Sequence, residues 1–549
     1  MPASSFDLAT IAVLAVPEAD NVAAVVRSYL PAGTRIRLPT GDSLTLPAPA
    51  HTGQSIALRR IAKNAPVIAL GAPFGLTRRA IAAGEVVDAG NIKPELPPRW
   101  RPPTGRTGAN GRASAATRGA RRAAASDGNA AAANLPATFA GFHRPGGRVG
   151  VRNYVAVVTS GMCAAGEARE IARRARAELY SRQRYPNVDG VVAVVQESGC
   201  GMPDGAAVDC LNRLLGQAIA HPNIGAALYI DLGCGKTCLA CSTPHLRAAV
   251  PAYNQRVRPL GIQASGGSRR AIAAGLERIE ELLEFANRSQ RHTAPLSALT
   301  LGVKCGGSDR WSGLTANPAL GWAADRVVAA GGTVLIGEVP ELQGAAHRVL
   351  MRRAATPAAA RKLAAAQRRF QRYAAMFGED YRENPSPGNI AGGLANVYLK
   401  SLGALAKSGT SPLRDVLDYG EPAGDRRGLM VVYSPGYDQI STPALFLGGA
   451  QIVGFTTGRG TGIGCALGPV LKISTNSALA RDNEDIDLDA GGMLPSSEDG
   501  QPPRADLAAT GQAIFERVLA IANGDYRPRA EASGIHDEFK VWESLWPTL

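Results

Sequence analysis

Lys304-Cys305-Gly306-Gly307-Ser308-Asp309 decides how this chain is read, together with Thr315-Ala316-Asn317-Pro318-Ala319-Leu320-Gly321 a few residues on. The run Ala298–Val303 leads straight into it and predicts a strand. A turn then sets a thiol, two glycines, a hydroxyl and a carboxylate at the strand's carboxyl end. Ligands of α/β proteins bind at that edge. Glycines there let backbone N–H groups approach an anion closely. Cys305 can bind a soft metal, and Ser308 and Asp309 can bind substrate or move protons.

Outward from this stretch the chain alternates strand and helix. Val151–Ser160, Val188–Val195 and Ala226–Asp231 read as strands, with helical runs at Glu167–Leu179, Ala207–Ala220 and Arg269–Asn287. A second block carries strands at Ala298–Val303, Thr333–Ile336, Leu429–Tyr433, Gln451–Phe455 and Val470–Ile473. Such alternation predicts an α/β fold with mostly parallel sheets. Residues 1–94 instead read as short strands with Gly/Pro turns, such as Arg35-Ile36-Arg37 and Val67-Ile68-Ala69. The expected organisation is a β-rich unit over 1–94, a linker over 95–137, a first α/β domain over 138–292 and a C-terminal α/β domain over 293–549. A chain of 549 residues exceeds what one core normally supports.

The net charge of +14 raises the question of nucleic acid. Its placement argues against that partner. Between Pro97 and Asn134 seven arginines face one aspartate, in a stretch whose only large apolar residue is Trp100. That composition predicts a disordered linker, and it interleaves no aromatic residues for base stacking. The first twenty residues lack early Lys or Arg, and no apolar run spans a bilayer, so neither secretion nor membrane insertion is expected. Eight cysteines in such a chain predict reduced thiols in the cytoplasm.

Cys163, Cys200, Cys234 and Cys305 each follow a predicted strand. Each reads either as a small buried hydrophobe or as part of a thiolate site for iron. Cys200, Cys234 and Cys305, which neighbour glycine, are the best metal ligands. The Cys238/Cys241 pair is a weak zinc half-site, since no second pair follows. Glu338 and Glu341 either cap the next helix or serve as general bases or metal ligands. Lys304 and Lys400 read as bases or as contacts to a substrate carboxylate. Phe455-Thr456-Thr457-Gly458-Arg459-Gly460-Thr461 follows a strand, and Arg459 can grip a carboxylate in a bidentate fork, with Thr461 beside it. A nucleotide loop would need Gly-Lys-Ser/Thr, which is missing there. Asn389 offers an amide from the loop Asn384-Pro385-Ser386-Pro387-Gly388-Asn389.

The stretch 304–321 resembles the signature of the altronate/galactarate dehydratase family. Further motifs agree in order: Gly147-Arg148 to Asn153, Gly199-Cys200-Gly201, His221-Pro222-Asn223, Gly233-Cys234, Glu338-Val339-Pro340-Glu341, the 384–389 loop, Lys400-Ser401-Leu402-Gly403, 455–461 and Lys472-Ile473-Ser474. The opening Val16 to Gly33 is similar to that family's antifreeze-like SAF module. The resemblance implies a metal-dependent hydro-lyase that turns a sugar acid into a 2-keto-3-deoxy acid, with iron, as Fe2+ or an iron–sulfur cluster, as cofactor. The candidate catalytic residues are Lys304, Asp309, Glu338, Glu341 and Lys400, and the candidate substrate contacts are Ser308, Asn389, Arg459 and Thr461. Sulfite elimination from a sulfonated hydroxy acid, or sugar-acid binding without turnover, are the alternatives. The expected partner is a small hydroxy acid, with neither nucleic acid nor membrane, and the expected assembly is a homo-oligomer. The chain departs from the family pattern at Gly53-Gln54-Ser55, where a Gly-His-Lys run is usual, and at Gly235, where glutamate is usual.

Overall fold

Seven strands form a wholly parallel sheet in the order Leu413–Leu417, Gly428–Val432, Thr333–Ile336, Thr300–Cys305, Ile452–Thr457, Val470–Ser474, Leu488–Asp489. These coordinates are a computed structural model that describes residues 5–102, 138–378, 384–496, 498 and 500–536. From Thr300–Cys305 the chain first builds outward on one side and then crosses to Ile452–Thr457 on the other. The topological switch point lies between those two strands, where open α/β sheets form a binding crevice. The core of this sheet is close to fully apolar, as strands covered on both faces require.

The structure extends the expected strand Ala298–Val303 to Cys305, because the neighbouring strand runs on to Thr457 and pairs Lys304 with Phe455 and Cys305 with Thr456. Lys304 and Cys305 therefore point to opposite faces of the sheet instead of lying in a turn. Leu413–Leu417 and Val257–Gly261 are among the strands that escaped the sequence reading. The first is the outermost strand of its sheet and carries Arg414 and Asp415; the second is likewise an edge strand and carries Arg258 and Pro259. Edge strands tolerate Pro and charge, so neither shows an unbroken apolar run.

The first α/β unit holds a four-stranded parallel sheet, in the order Gly190–Val194, Tyr154–Thr159, Ile224–Asp231, Val257–Gly261. A small antiparallel sheet of Thr138–His143, Val149–Gly150 and Arg291–Pro295 lies beside it. The N-terminal region is built from short strands between Ser5 and Lys93. It packs on the larger unit: Asn396 Nδ2 donates to Phe74 O at 3.0 Å, and Gly53 lies against the backbone of Gly392 and Gly393. Most of the expected disordered linker, from residue 103 to 137, lies outside the described residues. No described helix is long and apolar enough to cross a membrane.

One helix sets the two parallel sheets relative to each other. Ala206–Ala220 leaves the carboxyl edge of the four-stranded sheet. Arg213 Nη2 donates to Tyr419 O at 2.8 Å, just beyond the carboxyl end of Leu413–Leu417. His221, past the helix's C-terminus, lies 3.0 Å from Ala450 O, just ahead of Ile452–Thr457. The helix thus runs from the carboxyl side of the larger sheet toward its amino side. Both sheets accordingly open their carboxyl edges to the same side of the molecule.

The C-terminal segment locks onto the four-stranded sheet through a buried ion pair. Arg152 Nε and Nη2 donate to the Glu531 carboxylate at 2.9 and 3.0 Å, and Tyr154 Oη donates to it at 2.6 Å. Burial would raise the Glu531 pKa, but the Arg152 charge outweighs it and holds the carboxyl below its ordinary range. Glu531→Ala strands a buried guanidinium, which costs about 3–5 kcal/mol. A lower urea midpoint in the variant is the expected result.

Candidate functional site

Glu338 sits where the chain leaves Thr333–Ile336, in the left-handed backbone region at φ 65° and ψ 49°. That conformation is unfavourable for a residue with a Cβ. Its N–H donates to Ser434 Oγ at 3.0 Å, and its side chain turns back over the end of the central strand. There the carboxylate bridges both faces of the sheet. One oxygen accepts from Lys304, on one face; the other meets Lys407 Nζ at 2.6 Å. Lys407 also donates to Cys305 Sγ at 3.1 Å, on the opposite face from Lys304. Lys304 in turn donates to Asp438 Oδ1 at 2.7 Å and to Cys305 O at 2.9 Å. Gly306 leaves the room this requires, since a Cβ there would fall 2.3 Å from an Asp438 carboxylate oxygen.

Beside this cluster lies a second pair. Lys400 Nζ is 2.8 Å from Glu341 Oε1 and donates to the side-chain oxygens of Asn384 and Asn389, each at 3.1 Å. Asn389 Nδ2 donates to Ser308 O at 2.8 Å, which draws the 384–389 loop over the Gly307-Ser308 turn. Glu341 Oε2 and Ser308 Oγ are buried and have no hydrogen-bond partner. Arg459 is exposed, and its side chain lies beside Gly388 of the same loop. Thr461 is half-buried and accepts from Ile463 N at 3.3 Å.

Three ammonium groups thus face three carboxylates, in two layers. The Lys304 and Lys407 side chains are 0% exposed and that of Glu338 is 1% exposed, so this layer is sealed. Lys400 at 10% and Asp438 at 24% reach the rim. Burial alone would raise Glu338; the Lys304 and Lys407 charges outweigh it and hold the carboxyl below its ordinary range. Burial alone would lower the lysines. Asp438 and Glu338 outweigh that at Lys304, Cys305 and Glu338 do so at Lys407, and Glu341 does so at Lys400, so all three stay protonated at neutral pH. Burial pushes the Cys305 thiol up, partly opposed by Lys407.

The structure brings together most of the residues singled out from the sequence and sets others apart. Lys304, Cys305, Ser308, Glu338, Glu341, Asn389 and Lys400 converge. Asp309 serves as a cap: Oδ1 accepts from Ser312 N at 2.9 Å and Oδ2 from Thr475 Oγ1 at 2.8 Å, so both oxygens are engaged. Cys200 and Cys234 do not join Cys305; they are exposed on loops of the four-stranded sheet. Lys407 and Asp438 went unread. Lys407 follows Lys400 by seven residues on one helix, which puts both on one face. Asp438 opens a helix just past the Gly428–Val432 strand. Reduced thiols throughout were expected, but Cys238 and Cys241 form a disulfide, since the C-x-x-C turn brings their Cα atoms to 5.1 Å.

Among the described residues, Cys305, Glu338 and Glu341 form a group of metal-type donors within 4.8 Å of one another. The donor atoms are already taken: Glu338 by Lys304 and Lys407, Cys305 by Lys407, and one Glu341 oxygen by Lys400. A cation there would press against two sealed ammonium groups. As folded, the set fits protonated lysines and not a metal ion.

Three family descriptions match in sequence order: "Altronate/galactarate dehydratase SAF domain" over residues 11–95, "D-galactarate dehydratase/Altronate hydrolase, second domain" over 141–287, and "D-galactarate/Altronate dehydratase, C-terminal" over 296–546. The chain belongs to the galactarate/altronate dehydratase family. An altronate dehydratase of Escherichia coli K12 is 35% identical over 86% of this chain and 89% of its own length. The galactarate dehydratase (L-threo-forming) of the same organism is 32% identical over 96% of each chain. The beta subunit of a (2R)-sulfolactate sulfo-lyase from Chromohalobacter salexigens is 31% identical over 74% of this chain and 98% of its own.

The sealed layer makes two checkable statements. Glu338 has a depressed folded pKa, so its contribution to stability is full above the unfolded value of about 4.3 and is lost as pH falls through the lower folded value. The raised lysines contribute fully below about 10.4 and lose that contribution as pH rises through their folded values. Thermal midpoints are therefore expected to be level between these limits and to drop on either side. Lys407→Met leaves half of Glu338 buried without a counter-charge, at about 3–5 kcal/mol. Adding Glu338→Gln is expected to restore part of that loss, and strictly additive denaturation midpoints for the double variant would refute the coupling.

Proposed function

We propose that this chain is a hydro-lyase that removes water from a polyhydroxylated carboxylic acid of the altronate or galactarate kind and leaves a 2-keto-3-deoxy acid. Family membership and the names of the relatives support the reaction class. The observation that carries the reading is Glu341 Oε2, a buried carboxylate oxygen without a partner, beside the Lys400 ammonium at the rim of the switch-point crevice.

The chemistry follows from that pair. A hydroxy acid enters carboxylate first, toward Arg459 at the mouth and the Gly306-Gly307 turn. Glu341 removes the C2 proton as general base. The electron pair moves into the C1–C2 bond as an enediolate, and its charge is met by Lys400, already in place and protonated. The enediolate then forms the C2–C3 double bond and expels the C3 hydroxyl, which leaves as water with a proton from Lys400. Glu341, 2.8 Å away, returns its proton to the lysine. The enol tautomerises to the ketone. The sum is loss of one water molecule, and both groups end as they began. Lys304, Lys407 and Glu338 act from beneath by holding Glu341 and Lys400 in a fixed field.

The sulfo-lyase relative supports one variant, in which a C3 sulfonate leaves as sulfite. One assay separates the readings. Altronate, galactarate and sulfolactate are offered in D2O, and products are followed by NMR with a sulfite stain. Dehydration is expected to place one solvent deuterium at C3 of a 2-keto acid. Sulfite release without that product would move the assignment to the variant. Ligand-induced thermal stabilisation with no turnover would reduce the chain to a binding protein. Glu341→Gln is expected to lower kcat by about 10²–10⁴, as loss of a positioned general base does.

A further inference from the structure

Glu341 stands on a turn that has little of its own to hold it. Val339–Glu341 is a single 3-10 turn, closed by Glu341 N to Glu338 O at 2.8 Å and Leu342 N to Val339 O at 3.2 Å. Pro340 within it has no N–H with which to add a bond. The turn starts from the left-handed Glu338 backbone, a conformation that persists only where the surroundings impose it. Ser434 fixes the entry: its Oγ and O accept from Glu338 N and Val339 N at 3.0 and 3.1 Å. Those contacts stop two residues short of Glu341.

The rest of the turn is held by one side chain from the helix Pro357–Ala375. The buried stripe of that helix runs Ala359, Leu363, Gln367, at intervals of four. Gln367 thus sets an amide where an apolar side chain would ordinarily stand, and a buried amide has to find partners. It finds them all on the turn and the residue that follows it. Nε2 donates to Val339 O at 2.7 Å and to Leu342 O at 2.8 Å, and Oε1 accepts from Gln343 Nε2 at 2.9 Å. The two carbonyls bracket Glu341, one on each side. A primary amide suits this arrangement, since its two N–H groups diverge toward two acceptors while its oxygen takes a donor. Ser401 Oγ accepts from Gln343 N at 3.2 Å, which ties the same segment to the helix that carries Lys400. Gln343 and Gln367 also line a cleft of about 390 Å³ behind the turn, open to solvent.

Resting on the dehydratase reading, we infer that Gln367 is a positioning residue for the base: it sets the backbone of residues 339–342 so that the Glu341 carboxylate meets the C2 proton beside Lys400. It touches no reacting atom. Its effect passes through the two carbonyls that it grips.

The test uses the full chain and two readouts. Gln367→Met keeps the length of the side chain and removes the amide. Its kcat on the acid that the intact chain dehydrates is expected to fall about 10–100-fold, since misplacing a reacting group by about 1 Å can cost about 100-fold. KM is expected to stay level, because Lys400, Asn389 and Arg459 are untouched. Hydrogen exchange followed by mass spectrometry reads the turn without turnover. The amides of residues 338–343 are expected to exchange about tenfold faster in Gln367→Met, for the loss of two hydrogen bonds, while the strand Tyr154–Thr159 keeps its rate. Gln367→Ala, which opens the two carbonyls to water from the cleft, serves as a second variant should the first not fold. Its kcat is expected to fall likewise and to recover in part with acetamide, but not with N,N-dimethylacetamide, which has no N–H to donate.

An unchanged kcat or unchanged exchange over 338–343 overturns the inference, as does a loss carried by KM alone or a recovery that both amides give equally. Faster exchange in a chain that dehydrates no hydroxy acid would leave the clamp standing and the proposed function refuted; dehydration by the intact chain, with Gln367→Met unaltered in both readouts, would do the reverse.

Discussion

Glu338 is the constraint on which the rest of the larger sheet's edge depends. A carboxylate held without water is tolerable only when paired and hydrogen-bonded. Here one carboxylate is shared by two lysines that approach from opposite faces of the same strand. The sharing requires Glu338 to turn back over the strand end, and the left-handed backbone at that residue makes the turn. It also fixes the register of what surrounds it. Asp438 must complete Lys304, and Gly306 must leave space for Asp438. The Val397–Ala406 helix must end where Lys407 reaches the same carboxylate.

The cluster also separates two jobs that its residue types alone would leave confused. Lys304 and Lys407 are the most deeply buried cations at this edge, yet being sealed they set the field and not the contact. Lys400 has the same kind of side chain but reaches the rim, with the buried Glu341 carboxylate paired to it from below. Burial, not residue type, assigns the roles. The same distinction explains Asp309, whose carboxylate is consumed by the turn it caps.

Much of this was legible along the chain. The alternation of apolar strands with helices announced parallel sheets, and the Gly-rich turns after Thr300–Cys305 and Ile452–Thr457 marked the crevice. Lys304, Glu338, Glu341, Lys400 and Asn389 stood out as polar residues at strand ends or in loops. Lys407 did not, because a lysine at the end of an apolar helix looks like an ordinary cap. Its spacing of seven from Lys400 was the available signal. Edge strands with Pro259 or Asp415 broke the apolar pattern and were passed over.

By itself the sequence determined the class of fold, the order of its parts and the residue types available at each strand end, because periodicity and turn chemistry are local properties. Only the tertiary structure decided which of those residues share a site. Thr300–Cys305 and Gly190–Val194 are both followed or ended by a cysteine, but the two sheets are separate, so Cys305 meets Lys407 from a distant helix end while Cys200 lies on a loop of its own sheet. Partnership of this kind depends on strand order and on what each face buries. Neither is written in the spacing of residues along one chain.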